Sequence, residues 1–143
     1  MPFKFLEDEA PADVAFQAWG GGLEEVFTAA ADATLNTMIG QLDSVRPKVE
    51  RAAALENSEL DLLLFDLLQE IIYYKDSDQL LLRVVKCEFE LAPGANKLFA
   101  KLKGEKLDPK RHEQRADVKA VTLHQFWLRS DESGWKAHVI LDV

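Results

Sequence analysis

Two aspartates stand at opposite ends of the chain and at opposite ends of two apolar runs. Asp13 opens the run "DVAFQAW", and Asp142 closes "WKAHVILDV", one residue before Val143. Hard divalent cations take several oxygen ligands, commonly aspartates, backbone carbonyls and water. Asp13, Asp142 and the terminal carboxylate of Val143 have that chemistry. The same spacing also fits two solvated strand-end acids, and nothing in the sequence alone brings the two together. The other chemically capable residues offer less. His112 lies in the polar stretch "DPKRHEQRAD" and is expected in solvent. His124 falls on the core side of an alternating run, where a histidine is a satisfied core residue more often than a ligand. His138 sits near Asp142 in sequence. The single cysteine, Cys87, lies in an alternating apolar run and reads as a core thiol rather than a nucleophile. There is no P-loop, no H-E-x-x-H motif and no nucleophile with an evident base.

Composition narrows the class. At 143 residues, the length suits one domain with one sizeable core. With 48% hydrophobic and 29% charged residues, the balance is globular rather than disordered. No apolar run reaches the roughly 18 residues of a membrane span. The N-terminal "MPFKFLEDEAP" lacks the apolar stretch of a signal peptide, so a cytoplasmic location is expected. One cysteine excludes an internal disulfide and a multi-cysteine zinc site. The formal charge of −8 argues against holding nucleic acid unaided, since duplex binders carry a basic face. The acids suit a divalent cation, a basic protein partner, or simple solubility.

The elements that must position these residues follow from periodicity. "VAFQAW" alternates as a short strand, and the triple glycine at 20–22 ends it. That triplet lacks G-x-G-x-x-G spacing and is no dinucleotide fingerprint. Residues 23–39 form a helix with Val26, Phe27, Ala30, Thr34 and Met38 on one face and Glu25, Asp32 and Asn36 opposite. "LDSVRPKVERAAALENS" is a connection broken by Pro47. A second helix is expected from Ser58, as N-cap, to about Tyr74, with Asp61 meeting free N–H groups in its first turn. From Gln79 the period becomes two. "LLLRVVKCEFEL", "NKLFAKLKGEKL", "DVKAVTLHQFWLR" and "GWKAHVILDV" read as four strands. The fold class is therefore α+β, with two main helices packed on a largely antiparallel or mixed sheet.

The last two strands predict a hairpin register. Val118, Ala120, Thr122, His124, Phe126 and Leu128 share one apolar face, and Trp135, Ala137, Val139, Leu141 and Val143 share another. Opposed residues lie on the same face, so even positions of the first strand should oppose odd positions of the second. A four-residue loop at 131–134 delivers that parity. Lys119 and Asp142 would then emerge together on the non-core face, Lys119 about 10 Å beyond the Thr122–Val143 pair along the strand.

The chain also resembles the archease family. "VKAVTLH" with the terminal "GWKAHVILDV" is similar to the family's C-terminal signature. "PADVAFQAWGGGLEEVFTAAADA" is similar to its N-terminal signature, "LENSELDLLLFDLLQEIIYYKDSDQLLL" to its leucine-rich helix, and "GEKLDPKRH" to its loop before the last hairpin. The resemblance implies a single-domain archease fold over residues 1–143 and an activator of the RtcB-type RNA ligase of tRNA splicing. Such a protein is not an enzyme; it promotes guanylylation of the ligase and so its multiple turnover. The resemblance further implies a divalent cation, calcium in crystals with magnesium or manganese as alternatives. Its ligands would be Asp13, Asp142 and Val143, with Lys119 nearby. The sequence departs from the family at Glu9-Ala10-Pro11-Ala12, where many members read Asp-His-Thr-Ala, so the family histidine is missing. Two readings from other classes stay open. One is a chaperone-like interaction module for RNA-modifying proteins. The other is a metal-dependent hydrolase, disfavoured because no general base or nucleophile accompanies the carboxylates.

Overall fold

The structure, a computed structural model, describes residues 2–6 and 13–143. Its elements are β1 (Phe3–Leu6), β2 (Asp13–Gly20), α1 (Leu23–Met38), β3 (Val49–Asn57), α2 (Leu60–Asp78), β4 (Leu80–Glu90), β5 (Asn96–Lys106), β6 (Ala120–Asp131) and β7 (Gly134–Asp142). A 3₁₀ turn at Leu42–Ser44 follows α1. The strands form two sheets, ordered β1-β2-β7-β6 and β3-β5-β4. All the described pairings are antiparallel. The α+β class holds, with the strands divided between two sheets and each helix packed on strands of both.

α1 begins where the Gly22 N–H donates to Glu25 Oε2 at 2.6 Å. Its Ala29, Ala30, Ala31 and Ala33 are all buried, and such small side chains let it lie close to β2 and β4. In α2, Leu63, Leu64, Leu67, Leu68 and Ile71 are buried completely or nearly so, each stabilising the fold by about 1.5–3 kcal/mol. Arg83 of β4 clamps α1 through both oxygens of Asp32, with Nε at 3.2 Å and Nη2 at 3.1 Å. Such a bidentate, partly buried pair fixes geometry as well as charge. No helix among the described residues is long and apolar enough to cross a membrane.

Several expectations change. β1 was not foreseen, because four residues carry too little periodicity to register. β3 replaces the expected irregular connection. It is an edge strand, half exposed, and its alanines at 52–54 blur the alternation that would have marked it. α2 starts after Glu59 rather than Ser58 and runs on to Asp78, ending at Gln79 in the left-handed region with φ +57°. The Asp61 carboxylate meets the adjacent Leu62 N–H at 2.8 Å. Asn36 is buried rather than outward, and its Nδ2 donates to the Ile39 and Gly40 carbonyls at 3.1 and 3.2 Å. That contact satisfies carbonyls left open at the helix end.

The hairpin register is correct at the tip and wrong at the base. Near the tip, Leu128 opposes Ala137 and Trp127 opposes His138, even against odd as expected. At the base, Ala120 opposes Asp142 and Thr122 opposes Ile140, even against even. Between them β6 advances from Thr122 to Trp127 while β7 advances only from Ile140 to His138. The surplus of three residues is odd, so it inverts which side chains face the core. Val121, at 5% exposure, becomes a core residue in place of Ala120 and Thr122, and His124 is expelled to the surface. Gln125 takes φ +52° within this bulge. The connection at the tip is also tighter than expected, with only Glu132 and Ser133 between the strands.

Gly104 of β5 is paired with Val49 on one side and Leu82 on the other. A Cβ there would collide with the Leu81 carbonyl oxygen. Gly104→Ala is expected to lower stability by about 2 kcal/mol through overpacking, read as a lower urea midpoint with unchanged m-value.

Candidate functional site at the end of the four-stranded sheet

The β2–β7 ladder decides where the two aspartates go. Phe16 opposes Val139, and Ala18 opposes Ala137, all four fully buried. Alternation turns Asp13 and Asp142 to the opposite face, and the register sets them directly across from one another. Cβ atoms of opposed residues lie about 4.5–5.5 Å apart, and like charges placed so are destabilising. Residues from the two ends of the chain thus meet, which the sequence alone did not reveal. Both side chains are half-buried, as is Val143.

Lys119 arrives by a different route from the one expected. Ala120, not Lys119, opposes Asp142, so the shared face deduced from hairpin parity does not exist. The Lys119 backbone N–H instead donates to the Asp142 carbonyl at 2.8 Å. That bond ties the start of β6 to the end of β7. The Lys119 side chain is exposed, and its charge reaches Asp117. Asp117 is held below the usual carboxylate range mainly by its hydrogen bond with Lys75 at 2.7 Å, with Lys119 a smaller contributor.

The donor set fits a hard cation. Asp13 and Asp142 offer carboxylate oxygens on one face, and Val143 follows with main-chain oxygens. No group of three or more His, Cys, Asp or Glu side chains able to hold a metal occurs among the described residues. Further ligands would have to be main-chain oxygens or water. Glu9, Ala10, Pro11 and Ala12, where the sequence departs from the family pattern, lie outside the described residues.

A second polar cluster was missed by sequence reasoning. His112 is 3% exposed, not solvated, and Glu105 is 4% exposed at the end of β5. The Asp108 N–H donates to His112 Nδ1 at 2.8 Å, so the ring hydrogen sits on Nε2 and points at Glu105 Oε2, 3.0 Å away. Arg111 and the Arg46 N–H also converge on that oxygen. Burial opposes ionisation of Glu105, but the hydrogen bonds from Arg111, Arg46 and His112 outweigh it, and its carboxyl drops to about 2. The signal available was only the Asp108-Pro109 turn that returns His112 to the strand, because Glu105 falls on the same polar side of β5 as Lys101 and Lys103. The cluster joins the ends of its segment and reads as structural.

His138 is likewise 6% exposed although it faces away from the main core. The bulge covers it: its Nδ1 lies 2.7 Å from the Gln125 carbonyl, and Trp127 stacks on its ring at 5.6 Å. Cys87 is buried, and burial pushes its thiol up to about 11, the behaviour of an unreactive core thiol.

Comparison with known proteins places the chain in a family and matches its fold. Residues 3–143 match the model of the Archease protein family (MTH1598/TM1083). A protein archease of Pyrococcus abyssi is 33% identical over 136 residues, 94% of this chain and 95% of the relative. A protein archease of Methanosarcina mazei is 35% identical over 142 residues, 99% of this chain and 95% of the relative. The solution structure of Methanobacterium thermoautotrophicum protein 1598 superposes with a TM-score of 0.84 at 31% identity, covering 99% of each chain. A crystal structure from Thermotoga maritima, described as an archease and possible chaperone, gives a TM-score of 0.66 at 19% identity over 96% of each chain, a likeness of fold.

The Glu105 cluster has a pH signature. A carboxyl lowered from 4.5 to about 2 contributes stability that is complete above the ordinary value and is lost as pH falls through that window. Glu105→Gln should remove this acid limb from the stability–pH curve. At neutral pH it should cost about 3 kcal/mol, because Arg111 loses its buried partner. Chemical denaturation at pH 7, 4 and 2.5 checks both effects.

Proposed function

Because this chain belongs to the archease family, we propose that it is a protein activator of an RtcB-type RNA ligase and acts in tRNA splicing. On this reading it is not an enzyme: it promotes the GTP-dependent guanylylation of the ligase, which can then turn over repeatedly. The observation that carries the reading is a family match along nearly the whole chain, supported by the facing carboxylates of Asp13 and Asp142. Two like charges on adjacent strands are maintained against their mutual repulsion, which suits a site completed by a positive species.

In this proposal Asp13, Asp142 and Val143 hold one divalent cation, with calcium, magnesium or manganese all suited to the oxygen donors. When bound, such an ion supplies positive charge for phosphate oxygens. The protein's own part is positional. The β2–β7 ladder fixes the spacing of the two carboxylates, and the Lys119 N–H anchors the end of β7. The exposed Lys119 ammonium, at the same end of the sheet but not on the face of the two acids, offers a second positive charge able to pair with a triphosphate. Docked at the mouth of the ligase, this end of the sheet would favour guanylate transfer by electrostatics. A chaperone-like interaction module for RNA-modifying proteins is the second reading, favoured by the description of the Thermotoga maritima relative.

The decisive measurement is multiple-turnover ligation with the cognate ligase, comparing Asp13→Ala, Asp142→Ala and Lys119→Ala with the unaltered chain. Loss of an outer-shell partner alone costs about 10–100-fold in many metal sites, so each aspartate variant is expected to lose at least about tenfold in stimulation. Lys119→Ala should lower stimulation while leaving cation binding in place. Wild-type stimulation by all three variants would sink the proposed site.

A further inference from the structure

The tip of the same sheet has the opposite character to its aspartate end. Register places Lys4 beside Gln17, Gln17 beside His138 and His138 beside Trp127, forming one row across all four strands. The next row runs from Trp19 to Lys136 to Arg129. Alternation puts both rows on the face that carries Asp13 and Asp142. Lys4, Gln17, Trp19 and Lys136 line one hollow there, together with Asp131.

The charges are concentrated. Lys4, Arg129 and Lys136 are exposed on this patch of a chain whose formal charge is −8. The acid of the hollow, Asp131, is engaged by the Ser133 N–H at 2.8 Å and hydroxyl at 2.7 Å. The aromatic groups are ordered as platforms. Trp19 is 37% exposed, a large apolar surface left open beside Lys136. Trp127 is stacked on His138 on one side, and the Arg129 guanidinium lies 4.2 Å from its ring centroid. Arg129 is itself exposed, and the Gln125 carbonyl holds the His138 ring on which Trp127 stacks.

We propose that this basic, aromatic face of the β1-β2-β7-β6 sheet binds single-stranded RNA, with bases stacking on Trp19 and on the Arg129 guanidinium and phosphates meeting Lys4, Lys136 and Arg129. Flat sheet faces with aromatic platforms suit unpaired bases, which expose their rings, whereas a duplex hides them. An acidic protein could also meet the cations, but a guanidinium over the Trp127 ring, with the open Trp19 in the neighbouring row, offers the flat platforms on which unpaired bases stack. The net negative charge, read from the sequence as a sign against nucleic-acid binding, does not oppose this, because the local field governs contact within about a Debye length. Trp19 is six residues from Asp13 along β2, about 20 Å, so the face carries the RNA contact and the facing acids at separate ends. The inference goes beyond the proposed ligase activation and does not rest on it.

Fluorescence anisotropy of labelled single-stranded decauridylate and decaadenylate, titrated with the full chain alone in about 50 mM salt, tests it. Binding is expected in the range of about 1–100 μM, with log Kd rising with log salt at a slope of about 2 for three phosphate contacts. Trp19→Ala should weaken binding about tenfold, and Arg129→Ala and Lys136→Glu about fivefold or more. Lys101→Glu, at an exposed position of β5 in the other sheet, should leave it unchanged. Asp13→Ala should not weaken it, which separates failure here from failure of the ligase reading. Circular dichroism confirms that each variant is folded, and the two exposed cation variants decide the matter if Trp19→Ala is not. No anisotropy change at about 100 μM protein, an equal loss in Lys101→Glu, or polyglutamate displacing the RNA at equal charge would overturn the proposal; the last would mark an acidic-protein surface instead.

Discussion

The antiparallel ladder between β2 and β7 is the constraint on which the rest of this molecule depends. β7 is interior to its sheet, flanked by β2 and β6. On one side the ladder supplies Phe16, Ala18, Ala137 and Val139 to the core beneath α1. On the other it fixes the facing pair Asp13 and Asp142 at one end and the Trp19–Lys136 pair at the other. A slip of one residue would turn over the side chains of the strand that slipped and place its aspartate in the core. The burial of Phe16 and Val139 therefore enforces the geometry of the acidic site. Core burial and the facing of the two acids share one register.

The β6 bulge is the second determinant. An odd surplus of residues between Thr122 and Trp127 lets β6 present its even-numbered side to the core near the tip and Val121 near the base. The displaced backbone closes over His138, and its Gln125 carbonyl meets the ring. This makes the outer face layered near its middle and open at its two ends. Bulges commonly re-aim side chains next to functional surfaces, and here the bulge lies between the acidic and the basic regions.

Much of the architecture was legible in the sequence because periodicity reports burial. α1, β2 and the last four strands emerged close to their true bounds. The alternation of β5 was plain because it has one face on the core, whereas β4 opens on Leu80, Leu81 and Leu82, all buried, and registered through its apolar run. β3 was hidden by its alanines and its edge position, and β1 by its brevity. The hairpin shows a subtler limit. Parity is sound only while a strand pairs without interruption, and the run "TLHQFW" carries no glycine to announce a bulge; Gln125 takes the positive φ itself. His112 failed for a related reason. A polar loop reads as solvated until a tight turn folds it back on Glu105, and that contact is tertiary. The two aspartates were recognisable as ligands in type, but only the register of strands distant in sequence could set them opposite each other.

The facing aspartates come from strands separated by nearly the whole chain. Contacts so distant in sequence carry a high loop-closure cost and form late, once the elements between them have been ordered. A chain that has not yet acquired β7 has neither the acidic pair nor the Trp19–Lys136 pair. Any partner reading that sheet face consequently recognises only a domain that has been made and folded through to its last strand, so fold completion itself becomes a precondition for engagement.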